Sequence, residues 1–98
     1  MDHSAQPRRI LTAEQLRAAR ALLRLEQRQL ADQAGVALPT LKRLEGMTGP
    51  LRATYENVAR LVAVLEAAGI QFIQENGGGE GVRFVKRSDD RSSQGDKA

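Results

Sequence analysis

A chain of 98 residues, 41% of them hydrophobic, suffices for one small domain but not for a large enclosed substrate cavity. It contains no cysteine, which excludes disulfide bonds, thiolate metal sites and cysteine nucleophiles. The formal net charge is +3, and the segment from Arg8 to Arg52 holds nine Lys or Arg residues against four acidic ones. The first half therefore carries a positive field of the kind that attracts phosphates.

The chain begins with a polar, proline-containing segment, and we expect residues 1–10 to form a flexible basic arm. The only histidine, His3, lies in this arm and is expected to be solvated. We therefore predict no metal site and no cofactor. No run approaches the roughly 18 apolar residues of a membrane span, and no apolar signal core opens the chain, so we expect a cytoplasmic protein without membrane contact.

Four helices are predicted over residues 11–69. Thr12 and Gln15 have the spacing of a capping box, and apolar residues recur at helical spacing after them. Thr54 can cap the fourth helix, and Gly69 is placed to end it. The predicted bounds of the helices are about 13–24, 27–34, 38–45 and 55–68.

The period of the pattern changes from helical to alternating after Gly69. Apolar residues then alternate with polar ones on both sides of the glycine run 77–79, which predicts a β-hairpin or strand pair within residues 70–86. Residues 87–98 contain no apolar residue except the terminal Ala, so we expect a disordered tail. The fold class is therefore mainly α, with a short C-terminal β extension.

The second and third predicted helices have the residue pattern of a helix-turn-helix. Gly35 supplies a residue that tolerates positive φ at the turn, and Ala31 supplies the small side chain needed where two helices cross at roughly 90–120°. The remaining inward positions must be apolar, and they are Leu30, Ala34, Val36, Leu41 and Leu44. All seven requirements are met in register.

The run from Gln27 to Val36, together with Leu41 to Gly46, resembles the Xre family of phage-repressor and Cro-like DNA-binding domains. The family pattern is Gln-x-x-Leu-Ala, then Gly-Val, then an apolar residue and Glu-x-Gly. The resemblance covers about residues 14–68. The segment 68–83, with its glycine run, also resembles the C-terminal extension of small bacterial regulators of this family.

The resemblance implies that helix 3 lies in the major groove of double-stranded DNA. It implies base contacts from Leu38, Pro39, Thr40 and Arg43, in which Leu38 and Pro39 can only touch thymine methyl groups and Arg43 can bind a guanine. It implies phosphate contacts from Gln27, Arg28, Lys42, Thr48 and Arg52. For Lys42, simple solvation is an equal alternative. Arg8 and Arg9 could enter a minor groove, although such arms more often make no contact.

Two residues, Glu26 and Ala37, depart from the family pattern, and a third, Glu45, has a predicted structural role. Glu26 precedes helix 2, where the family usually has Ser or Thr, and Ala37 precedes helix 3, where the family often has Ser. A missing side-chain cap costs roughly 0.5–2 kcal/mol of stability. Pro39 partly offsets the second loss, because proline is tolerated in the first turn of a helix. Glu45 is expected to tie its helix end to a neighbouring element rather than to contact DNA.

These features favour a sequence-specific DNA-binding transcriptional regulator, most simply a repressor, found on the nucleoid when bound. One such domain covers half a site, so a homodimer is expected. The apolar strands are the expected interface, since pairing between chains would cover their edges. The alternative is a hairpin folded back on its own helices. The predicted interface residues are Ile70, Phe72, Val82 and Phe84.

The alternatives to a DNA-binding regulator belong to two other classes of function. An antitoxin, or another module that binds a protein partner, could use the same fold and would be separated by co-purification of that partner. An enzyme is not expected, because the chain has no cysteine, no histidine outside the arm and no phosphate-loop lysine motif. The pair Asp89-Asp90 lies in the polar tail and is expected to be solvated.

Overall fold

The fold is seen in a computed structural model of the protein, which describes residues 11–85. The predicted arm with Arg8 and Arg9 and the predicted tail 87–98 lie outside the described residues. The described chain confirms a mainly α fold followed by a β-hairpin. Its elements are α1 (Ala13–Leu23), α2 (Gln27–Ala34), α3 (Leu38–Glu45), α4 (Tyr55–Ala67), β1 (Ile70–Ile73) and β2 (Gly81–Phe84). None of the helices in residues 11–85 is long and apolar enough to cross a membrane.

Side chains at the helix starts account for the helix boundaries. At α1 the Gln15 N–H donates to the Thr12 hydroxyl and the Thr12 N–H donates to Gln15 Oε1, both at 3.0 Å, so the predicted capping box is confirmed. At α4 the Asn57 N–H donates to the Thr54 hydroxyl at 3.1 Å, as predicted. Before α2 the Glu26 N–H donates to Gln29 Oε1 at 2.8 Å, which compensates in part for the missing Ser or Thr.

The core is aliphatic and lies between the four helices and the hairpin. Each large side chain in it contributes about 1.5–3 kcal/mol on burial, so these residues provide most of the driving force for folding. The largest fully buried side chains are Leu16, Leu30, Leu41, Leu44, Leu61, Leu65 and Ile70.

The two strands pair with each other in antiparallel register within one chain, with Ile70 opposite Phe84 and Phe72 opposite Val82. Gly69 adopts φ +105° and turns the chain back after α4, which brings Ile70 into the core with 1% exposure. Phe72 and Val82 pack partly against the same core. Ile70 is thus covered by its own chain, whereas Phe84 is 53% exposed. The interface between chains stays a prediction.

Gln15 fastens the hairpin to α1. Its side chain is buried, and its Nε2 donates to the carbonyls of Ile73 at 3.1 Å and Gly81 at 2.9 Å. These two residues face each other across the strands at the loop end of the hairpin. The same carboxamide thus caps α1 through its oxygen and holds both strands through its nitrogen.

We predict that Gln15→Leu lowers the free energy of unfolding by about 2 kcal/mol, because it removes the cap bond and both hydrogen bonds to the hairpin. Gln33→Leu is the matched control, since Gln33 is exposed on α2 and its side chain makes no hydrogen bond within residues 11–85. Urea unfolding of the two variants and the unchanged protein measures the difference. Equal values for the two variants would contradict the role of Gln15.

Candidate nucleic-acid interface

The turn between α2 and α3 has the conformation that the sequence predicts. Gly35 adopts φ +69°, and the Val36 N–H donates to the carbonyl of Ala31 at 3.0 Å, which ends α2. Every residue predicted to face inward is buried in the core, and these residues are Leu30, Ala31, Ala34, Val36, Leu41 and Leu44. Their burial fixes which side of α3 faces outward.

The outer face of α3 is formed by Pro39, Lys42 and Arg43, all of which are exposed. Their spacing of three and four residues places them on one side of a helix. Leu41 and Leu44 occupy the opposite side and are fully buried. A rigid proline at the N-terminal end and two cations one turn later therefore share the solvent-facing surface.

Two of the predicted base contacts are less accessible than the sequence indicated. Leu38 is half-buried and packs against the core, because it lies three residues before Leu41 and seven before Glu45, which are both buried. Only part of the Leu38 side chain faces outward, and its contact with a base stays a prediction. Thr40 is also half-buried and lies at the flank of the exposed face.

Glu45 is buried at the end of α3 and joins three helices. Arg20 of α1 donates to both carboxylate oxygens of Glu45, through Nε at 2.7 Å and Nη2 at 2.8 Å. Gln27 of α2 donates from Nε2 to Oε1 at 3.0 Å. The hydrogen bonds to Glu45 raise the pKa of Arg20 although its partial burial acts in the opposite direction. The predicted structural role of Glu45 is thus observed directly.

The side-chain amide of Gln27, a predicted phosphate contact, already makes one hydrogen bond within the domain. One N–H of Nε2 points to Glu45, and the side chain is half-buried. A carboxamide nitrogen has two N–H groups, so one remains for an outside acceptor. Gln27 therefore lies where it can link α3 to a ligand at the start of α2.

The loop after α3 is held by α1. Arg17 Nη1 donates to the carbonyls of Glu45 and Met47, and Glu14 accepts from the Gly49 N–H at 3.0 Å. Bonds to its own backbone N–H and to that of Gly49 lower the pKa of Glu14. The predicted loop contacts Thr48 and Arg52 are exposed beside these anchored residues.

The four basic residues predicted to touch DNA are all exposed, and they are unpaired within the described part of the chain. Within residues 11–85, no acidic or carbonyl oxygen is within bonding distance of their side chains, which belong to Arg28, Lys42, Arg43 and Arg52. In contrast, Arg17 and Arg20 are committed to contacts inside the domain. The fold thus separates structural arginines on α1 from free cations on α2, α3 and the following loop.

We predict that Gly35→Ala lowers the free energy of unfolding by about 1 kcal/mol, because an L side chain is strained at φ +69° even though no atom lies within 4 Å of the added Cβ. Gly46→Ala is the matched control. Gly46 has a negative φ, and its Cβ would meet only carbonyl oxygens at 3.5 and 3.6 Å, so a change within about 0.5 kcal/mol is expected. Thermal unfolding followed by circular dichroism compares them; a smaller loss in Gly35→Ala than in Gly46→Ala would refute the argument.

We predict that Glu45→Ala lowers the free energy of unfolding by about 3 kcal/mol, because it leaves the partly buried Arg20 without its carboxylate. Glu56→Ala provides the comparison, since it breaks the exposed ion pair with Arg60 and should cost no more than about 1 kcal/mol. Denaturant unfolding of both proteins checks the ranking. The assignment fails if the exposed pair proves as important as the buried one.

No protein-family model matches the chain, and no curated protein matches its sequence. The resemblance to the Xre family therefore depends on the residues described above.

Proposed function

We propose that the protein is a sequence-specific DNA-binding transcriptional regulator of the Xre type, acting as a repressor. The observation that carries the proposal is the outer face of α3, where Pro39, Lys42 and Arg43 are exposed and the two cations have no partner within residues 11–85. The inner face of the same helix is fixed by buried leucines and by Glu45. A rigidly mounted helix with free cations is suited to the major groove.

Base readout is assigned to the exposed face of α3. The Arg43 guanidinium can donate two parallel hydrogen bonds to O6 and N7 of a guanine. Pro39 and the accessible part of Leu38 can contact thymine methyl groups, because such apolar contacts require no hydrogen bond. Thr40 lies at the edge of this face, where its hydroxyl can reach a base or the backbone.

Phosphate contacts are assigned to residues on either side of this helix. Arg28 at the start of α2 and Arg52 in the loop after α3 are exposed cations that can neutralise phosphates. Lys42, Thr48 and the free amide N–H of Gln27 are further candidates. Contacts of this kind orient the protein on the duplex and make its affinity depend on salt.

We place the protein on DNA as a homodimer, because one helix-turn-helix covers only half a site. The exposed apolar residues at the end of β2 favour a contact between copies at this position, with Phe84 53% and Val85 40% exposed. Ile70, Phe72 and Val82 would support this contact from within each chain by holding the hairpin on the core.

Selection of bound DNA from a random duplex pool tests the proposal. We expect an enriched sequence with two related half-sites whose centres lie about 10 base pairs, one helical turn, apart. Binding to the enriched duplex should exceed binding to a shuffled duplex of equal length. A pool that shows no enrichment after repeated rounds would refute sequence-specific binding.

We predict that Arg43→Ala weakens binding to the enriched duplex by about 1–3 kcal/mol and relaxes the preference at one base pair in each half-site. Arg83→Ala is the matched control, since it removes an equal charge from the hairpin, where Arg83 donates to Gln71 at 2.9 Å. Gel-shift titrations at constant salt compare the two variants on enriched and single-substituted duplexes. Equal losses for both variants would contradict direct readout by Arg43.

A further inference from the structure

Arg24 is the only residue other than glycine in the described segment 11–85 that has a positive φ. It follows the last residue of α1 with φ 57° and ψ 34°. Its N–H donates to the carbonyl of Ala21 at 3.0 Å, and the next residue, Leu25, donates to the carbonyl of Arg20 at 3.1 Å. This is the left-handed helix end that glycine usually provides, because a Cβ is disfavoured there.

Nothing inside the domain explains why an arginine occupies this position. The Arg24 side chain is exposed, and it has no hydrogen bond or ion pair with any residue of the segment 11–85. The helix end needs only the backbone of the residue, and the adjacent Leu25 supplies the apolar packing. The side chain therefore adds a free cation to a turn whose conformation favours glycine.

The turn that carries Arg24 lies against the end of α3. Arg20 donates to the carbonyl of Leu25 at 2.9 Å with one nitrogen and to Glu45 with two others. Gln27, three residues after Arg24, donates to the same carboxylate. Arg24 is thus joined through its neighbours to the helix-turn-helix, on the same short segment as the unpaired Arg28.

We infer that Arg24 binds a phosphate of the DNA backbone, beside the phosphate assigned to Arg28. This inference depends on the proposed function and adds one contact that the sequence pattern did not indicate. An exposed arginine side chain on a short, anchored turn can reach the DNA backbone while the turn itself stays in place. The charge of the side chain, rather than its shape, is what this position contributes.

Binding of Arg24→Gly, Arg24→Lys and the unchanged protein to the enriched duplex, titrated at several salt concentrations, tests the inference. Arg24→Gly should bind roughly five- to tenfold more weakly at 0.1 M salt, and the slope of log affinity against log salt should fall by about 0.9 per protomer. Arg24→Lys should retain the slope. The melting temperature of Arg24→Gly should be equal to or higher than that of the unchanged protein, which separates lost contact from lost folding.

Two results would overturn the inference, and they are distinguishable from failure of the proposed function. If the unchanged protein prefers the enriched duplex and Arg24→Gly has the same affinity and slope, the arginine is only a solvated charge and the regulator assignment stands. If the unchanged protein shows no preference for the enriched duplex over the shuffled one, both proposals fail. Arg83→Ala serves as the control for loss of a charge outside the helix-turn-helix.

Discussion

The arrangement of the helix-turn-helix depends on one buried carboxylate. Glu45 ends α3, and it is bound by Arg20 from α1 and Gln27 from α2, so a single side chain sets the positions of three helices. A carboxylate without partners could not remain buried there, because the loss of hydration would far exceed the packing gained. Together with the buried Leu41 and Leu44, this ion pair fixes how α3 lies against α1 and α2, and hence which face carries its exposed cations.

A second polar side chain, at the N-terminal end of α1, also joins separate elements. Gln15 uses its oxygen for the cap of α1 and its nitrogen for two carbonyls of the hairpin. Because the hairpin contains only two short strands, it would be marginal without such support. The extension is thus part of the domain, with Ile70 in the common core. Much of the apolar surface of the hairpin packs against the core of the same chain.

The basic residues fall into a group that is bound within the domain and a group that is free, and this difference has a physical reason. Arg17 and Arg20 lie on the face of α1 that meets the end of α3, where carbonyl and carboxylate oxygens need donors. Arg28, Lys42 and Arg43 are exposed and have no partner within residues 11–85, so their charges remain available. Net charge alone does not distinguish these two groups. The distinction appears only when the helices are packed, and it favours a phosphate-binding role for the second group.

Local features of the sequence determined the helices and the turn between α2 and α3. The capping box at Thr12, the positive φ at Gly35 and the spacing of aliphatic residues in α2 and α3 each involve only a few neighbouring residues, and the sequence predicts all three correctly. Tertiary structure alone decided that Leu38 turns partly inward and that Ile70 enters the core of its own chain. It also decided that Gln15 binds carbonyls 58 and 66 residues away. These outcomes depend on contacts between segments that are distant in the sequence, so no local pattern predicts them. Only when the helices have packed is it decided which apolar groups still need burial and which polar groups still need a hydrogen-bond partner.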